Sequence, residues 1–280
     1  MVLNQLKTVI LLTAMGILMV FLGSLFGRTG MIIGFVIALV TVGMSYWKSD
    51  QLALRSAGAV EVTEEQMAPY FQVVRDLSQR MDIPMPRLYV SPEMQPNAFA
   101  TGRNPDNAAV CVTQGILQVL DWEELRGVLA HELGHVKNRD ILISSIAAAV
   151  ATAIAFAANM AMWGAMFAGG NGRDRNPFAM LIGVILAPIA ASVIQMALSR
   201  NREYEADRTG AELIRDGEPL AQALIKIETY AAQVPMDVVP EQTSKFIINP
   251  LTGRQVSFKN LFTTHPSTAS RVERLRAMRF

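Results

Sequence analysis

Two histidines stand four residues apart, with a glutamate directly after the first, in His131-Glu132-Leu133-Gly134-His135. On a helix, residues four apart lie one above the other on one face. Two imidazoles so placed can close on one zinc ion, with the glutamate beside the metal's open position. The chain has only 3 histidines in 280 residues, and two of them fall in this pentapeptide. Composition alone gives about 0.003 chance matches to such a pattern. The flanks predict the helix. Asp121 can cap it, and Glu124 three residues on completes a capping box. Trp122, Leu125, Val128 and Leu129 then recur at helical spacing.

The chemistry follows from the residue types. A zinc ion with three protein ligands keeps a fourth position for water; it acidifies that water and polarises a carbonyl. Glu132 is placed to take the proton and pass it to a leaving amine, which is peptide hydrolysis. A metzincin would carry glycine three residues past the second histidine and a third histidine three further on. Asn138 and Ile141 occupy those positions, so that subclass is excluded. A metal-binding scaffold or chaperone-like protein without proteolysis is the alternative, and it has no need of Glu132. Proteases that cut within the bilayer set the motif in an apolar span. Here Glu123, Glu124, Arg126, Lys137 and Arg139 surround it.

The elements that must position these groups are membrane-like and soluble by turns. The chain is 51% hydrophobic and 18% charged, below the roughly 25% charged residues of soluble domains. Net charge +1 and the lack of a basic stripe exclude a nucleic-acid partner. The single Cys111 excludes an intramolecular disulfide and reads as a small buried residue. Residues 1–47 hold two uncharged runs, 8–27 and 29–47, each long enough to span about 30 Å of hydrocarbon. They predict a transmembrane hairpin. Residues 48–140 turn soluble. They predict a helix from Thr63 to Arg80 opened by a Thr63/Gln66 capping box. Short strands follow at Arg87–Val90, Asn97–Thr101 and Ala108–Thr113, with a turn over 102–107. Residues 141–199 carry two more uncharged runs about a polar turn at 171–176, and read as a second hairpin. Residues 200–280 return to soluble composition, with helices expected over 202–214, from Pro219 to about Gln233, and from Thr268 to Met278.

The second hairpin has a geometric consequence. If the metal helix continues to Ile141, the histidines lie roughly 10 Å from the membrane boundary. The returning run then delivers residues 200–207 beside them. Seven basic residues near span ends lie on the side of the site (Lys7, Lys48, Arg55, Lys137, Arg139, Arg200, Arg202), against Arg28, Arg173 and Arg175 opposite. That asymmetry places the site on the cytoplasmic face. For the third ligand, Glu203, Glu205, Asp207 and His265 compete. Glu203 and Asp207 share a helical face, whereas Glu205 points about 200° away from Glu203. Asp207 is one turn farther from the membrane. A ligating histidine also needs a partner on its other ring nitrogen. Glu203 is therefore expected on the metal and Asp207 behind a histidine. His265 is left to hydrogen-bond the oxyanion that develops on the attacked carbonyl.

With these residues in view, the chain resembles the HtpX branch of the M48 zinc metalloproteases. The resemblance rests on residues 131–140, on 199–207 (Ser-Arg-Asn-Arg-Glu-Tyr-Glu-Ala-Asp), on Pro96-Asn97-Ala98-Phe99-Ala100-Thr101-Gly102 and on Thr264-His265-Pro266-Ser267, in that family's order, and it covers essentially the whole chain. It implies an α+β integral membrane protein. The protease domain would be mostly helical and gluzincin-type with a small sheet, beside four transmembrane helices in two hairpins. It implies one Zn2+ per chain on His131, His135 and Glu203, with Glu132 as base, and no nucleotide. It implies a bacterial inner-membrane endopeptidase of protein quality control, acting on damaged or misfolded membrane proteins from a cytosolic site. It points to Asn97, Ala98 and Phe99 as a strand edge that holds substrate.

Overall fold

The computed structural model describes residues 27–142, 200–233 and 266–280, with isolated positions between 6 and 20. Nearly all of the second expected hairpin and most of the first run of the first one therefore lie outside the described residues, as does His265. Helix α1 (Gly27–Trp47) is followed by a short α2 (Ser49–Ser56) and strand β1 (Val60–Glu61). Among the described residues no helix is long and apolar enough to cross a membrane. α1 still leaves Ile32, Ile33, Phe35, Val36, Leu39 and Val40 exposed, and these positions form one broad apolar face of the helix.

Helix α3 (Ala68–Met81) begins five residues later than the expected cap. The Thr63 amide does donate to Gln66 Oε1 at 2.9 Å, but this closes a separate turn. Pro69 explains the difference: its locked φ and missing N–H suit the first helical turn, so α3 starts there. The sheet comprises β1, β2 (Arg87–Ser91), β3 (Ala98–Gly102) and β4 (Ala108–Thr113), in the order β1-β2-β4-β3. β2 runs parallel to β4, whereas β3 pairs antiparallel with β4, Ala98 opposite Val112 and Ala100 opposite Val110. β3 is thus an edge strand.

Both faces of the sheet are buried, and alternation along β4 shows it. Ala108, Val110 and Val112 enter the main core with the helices, while Ala109 and Cys111 join a smaller cluster with Leu54, Tyr89 and Phe99. Burial drives the Cys111 thiol up to about 12, so it is inert packing. Thr113 closes β4 and caps α4 (Gln114–Val119), its hydroxyl accepting from the Ile116 amide at 3.2 Å. The metal helix is α5 (Trp122–Lys137). Both bonds of its capping box are made: the Glu124 amide donates to Asp121 Oδ1 at 2.9 Å, and the Asp121 amide to Glu124 Oε2 at 3.0 Å.

α5 does not run on towards Ile141. Arg139 is left-handed (φ 59°), and the Asp140 amide bonds back to the His135 carbonyl at 2.9 Å. The Arg139 amide bonds to the Val136 carbonyl at 3.1 Å, completing a Schellman turn. The rest of the core is built from α6 (Arg200–Ile214), α7 (Glu218–Gln233) and α8 (Thr268–Ala277). α6 crosses α5 closely: an added Cβ on Gly210 would lie 2.9 Å from the His131 amide nitrogen.

Candidate metal centre

α5 supplies three of the expected residues from one buried face. The His131 and His135 rings meet edge to face, with centroids 4.7 Å apart. α6 brings Glu203 to them from 68 residues further along the chain than His135. Glu203 Oε2 lies 3.8 Å from His131 Nε2, and Oε1 lies 3.6 Å from His135 Nε2. One ligand atom from each of the three falls within 4.8 Å of the others. A tetrahedral zinc with bonds of about 2.0–2.1 Å would set its ligand atoms roughly 3.4 Å apart. The two histidine–glutamate separations are wider than that by a few tenths of an ångström, and two imidazoles with a carboxylate suit such an ion. Glu205 points outward and pairs with Arg208 at 3.0 Å.

Each histidine is held from behind. His131 Nδ1 lies 2.9 Å from Asp207 Oδ1, one helical turn past Glu203 on α6. His135 Nδ1 lies 3.3 Å from Asp140 Oδ2, delivered by the Schellman turn that ends α5. A carboxylate accepts, so both rings carry hydrogen on Nδ1 and turn Nε2, the nitrogen left for a metal, towards Glu203. Arg271 of α8, 1% exposed, grips Asp207 with two bonds, Nε to Oδ2 at 2.8 Å and Nη2 to Oδ1 at 2.6 Å. Burial alone would raise the Asp207 carboxyl; Arg271 and His131 instead hold it down at about 2.

Glu132 is 6% exposed and does not join the triad. Its Oε2 accepts from the Ala100 amide of β3 at 2.9 Å. Burial raises its carboxyl, the neighbouring histidines and the Ala100 amide oppose this, and Glu203 adds to it. A buried carboxylate with a raised affinity for protons is suited to general-base work. Burial works against charge on His135, yet the Asp140 hydrogen bond and the Glu203 and Glu132 carboxylates lift it to about 9. A divalent cation replaces that proton, so binding releases it. Arg202 sits near Asp140 and Glu203. Four carboxylates (Glu132, Asp140, Glu203, Asp207) against the guanidiniums of Arg202 and Arg271 leave two negative charges, the complement of one divalent ion.

β3, which with Asn97 just before it carries the other expected residues, touches the same centre through Ala100. The Thr113 amide donates to the Asn97 carbonyl at 2.9 Å, which fixes the alternation of the ladder. The main-chain groups of Ala98 and Ala100 therefore face away from β4, and Ala100 uses its amide on Glu132. Asn97 and Ala98 are buried, and Phe99 packs in the smaller cluster on the far face. Asp140 and Arg271 were not among the residues expected at the site. Asp140 does stand in the run from His131 that carries the family resemblance. Arg271 has no local signal.

Hydrolysis of a peptide bond at a metal needs protein ligands, an open position and a base, and this chain is a metalloendopeptidase. Comparison with known proteins takes the assignment further. The profile described as Peptidase family M48 matches residues 65–279, and the chain belongs to that family. It is 48% identical over 281 residues to a protein of Desulfatibacillum aliphaticivorans named Protease HtpX homolog, covering 99% of this chain and 90% of that one. A protein of the same name from Desulforapulum autotrophicum is 49% identical over 278 residues, covering 98% and 89%. Another, from Syntrophobacter fumaroxidans, is 48% identical over 282 residues, covering 98% and 99%. The crystal structure of S. mikatae Ste24p superposes with a TM-score of 0.54 at 17% identity, over 98% of this chain and 66% of that one. At that identity the likeness concerns the fold.

Proposed function

We propose that the chain is a membrane-bound zinc endopeptidase that cleaves damaged or misfolded proteins, membrane proteins among them, in bacterial protein quality control. The observation that carries this is the convergence of His131, His135 and Glu203 beside Glu132. These three would hold one zinc ion, which when bound supplies the Lewis acid that acidifies water and polarises the scissile carbonyl. Glu132 takes the water's proton and returns it to the leaving amine. The Ala100 amide holds the carboxylate in place for both transfers. Asp207 and Asp140 fix the histidine rings. His265, outside the described residues, is assigned to the oxyanion.

Substrate is proposed to lie extended along the edge of β3 at Asn97, Ala98 and Phe99. Main-chain bonds there give affinity without demanding a sequence, as a quality-control protease requires. The uncharged runs within 1–47 and 141–199 are proposed as two membrane hairpins, in the bacterial inner membrane, with the site facing the cytoplasm. The exposed aliphatic surface of α1 supports a lipid environment.

The test uses detergent-purified full-length protein and a casein-like substrate, with and without zinc and a chelator. Cleavage should vanish on chelation and return with zinc. Chelator-insensitive cleavage, or none at full zinc occupancy, rejects the reading. For orientation, a periplasmic reporter fused after Gly172 should be active and one near Asn104 inactive; the reverse rejects a cytoplasmic site.

A further inference from the structure

We propose that Arg271 is a positioning residue for the metal centre, acting on His131 through Asp207. The inference rests on the zinc reading for its consequence and on geometry for its substance. Arg271 is among the largest side chains fully withdrawn from solvent, and it lies on a different helix from every residue assigned to the chemistry. Burying a guanidinium is costly unless its partners are well aligned. Here Nε and Nη2 form a two-pronged bond to the two oxygens of Asp207, at 2.8 and 2.6 Å. A fork of this kind fixes the plane of a carboxylate as well as its charge.

The plane matters because Asp207 Oδ1 is shared. It accepts from Arg271 and also faces His131 Nδ1 at 2.9 Å. The same Nη2 of Arg271 lies 3.4 Å from His131 Nδ1. Nη2 can only donate, so a bond from it to Nδ1 would require a bare Nδ1 and would move the ring's hydrogen to Nε2. The distances decide between these arrangements. The carboxylate contact is shorter by half an ångström, so Nδ1 carries the hydrogen and Nε2 keeps the lone pair a metal needs.

Removing the guanidinium would free Asp207 to rotate, and the ring tautomer would no longer be enforced. His135 is held from a different element: its carboxylate partner, Asp140, is delivered by the backbone turn at the end of α5. His131 is thus tied to α8 through Asp207. Other contacts join α8 to α6 without touching Asp207. Ser270 Oγ lies 2.9 Å from Tyr204 Oη, and the Arg274 guanidinium stacks over the Tyr204 ring at 3.8 Å. They separate docking of the helix from positioning of the ring.

The experiment compares wild type, Arg271→Met, Arg271→Lys and Arg274→Ala as full-length protein in detergent. Selective 15N labelling of histidine reports only three residues, so the metal-free spectrum is readable. Wild type should show His131 as a single Nδ1–H tautomer. Arg271→Met should show tautomer exchange at His131 and an unchanged His135. Zinc affinity, from competition with a chromophoric chelator, should fall roughly 10–100-fold. Arg271→Lys, which keeps the charge but loses the fork, should recover part of both signals. Arg274→Ala should leave both at wild-type values even if its melting temperature drops.

A wild-type His131 tautomer and zinc affinity in a folded Arg271→Met would overturn the proposal, as would an Arg274→Ala as impaired as Arg271→Met. If Arg271→Met does not fold, Arg271→Lys decides on the same two readouts, and full wild-type values there overturn it. Failure of wild type to bind zinc would reject the zinc reading instead, and the tautomer comparison would still judge the role of Arg271.

Discussion

Replacing Gly210 by alanine tests whether α5–α6 packing sets the metal geometry. The new Cβ would lie 2.9 Å from the His131 amide nitrogen, 3.0 Å from the Ala130 carbonyl carbon and 3.3 Å from its oxygen. All three are backbone atoms and cannot swing aside. Comfortable carbon contacts begin near about 3.5 Å, so α6 must withdraw by roughly half an ångström. Glu203 stands seven residues earlier on α6, about 10 Å along its axis, and a stiff helix carries most of that shift to it. Metal bonds tolerate about 0.2 Å. Overpacking of this kind costs about 1–3 kcal/mol. Whatever part is relieved by releasing Glu203 appears as lost affinity, between roughly fivefold and a hundredfold. Gly134 is the control. It lies inside the His-Glu-x-x-His motif, yet its added Cβ would meet Ala206 and Thr209 atoms only at 3.4–3.6 Å, ordinary contact. Chelator-competition titration and thermal melting should find Gly134→Ala close to wild type and Gly210→Ala impaired in both. Wild-type zinc binding by Gly210→Ala, or a failed site in Gly134→Ala, would refute the reasoning.

Glu132→Gln should retain stoichiometric zinc by elemental analysis and lose about 10²–10⁴-fold in peptide cleavage; loss of the metal as well would make Glu132 a ligand. Glu203→Ala should abolish stoichiometric zinc, and Glu205→Ala, which alters only an exposed pair with Arg208, should keep it. Ala98→Pro removes an amide that faces away from β4, so cleavage should fall with zinc unchanged; unaltered cleavage counts against substrate at this edge. The Asp207 carboxyl, depressed from 3.8 to about 2, contributes stability that is present above pH 3.8 and lost as pH falls through about 2. Denaturant titrations of Asp207→Asn across that window should show a flatter dependence on pH than wild type, and an equal slope would contradict the assignment.

The site was legible where its determinants are local. His131, Glu132 and His135 belong to one helix, whose start is written in Asp121 and Glu124, and both capping bonds form. Glu203 and Asp207 were readable because four-residue spacing sets them on one face of α6. The end of α5 was not legible. An arginine in left-handed conformation gives no warning in sequence, because glycine or asparagine is the usual marker there. Asp140 was therefore missed as the partner of His135. Arg271 was missed for a different reason. It is one of 25 lysines and arginines, and its meaning comes from an Asp207 that lies 64 residues away along the chain. The short β1 and α4 escaped because each is fixed by its neighbours, β1 by pairing with β2 and α4 by the cap from Thr113.

The left-handed turn at Arg139 also decides how force travels through the protein. A straight helix is a rod: twist or tilt applied at one end arrives at the other. One residue of opposite hand makes a swivel, because it breaks the run of hydrogen bonds that stiffens the rod. The uncharged segment that begins at Ile141 is thus not an extension of the helix bearing His131 and His135. Torque on that segment enters α5 through the short link at residues 138–140, where the same turn clamps Asp140 to His135. Motion of the chain beyond Ile141 is thus not passed rigidly along α5 to the two histidines, as a continuous helix would have passed it.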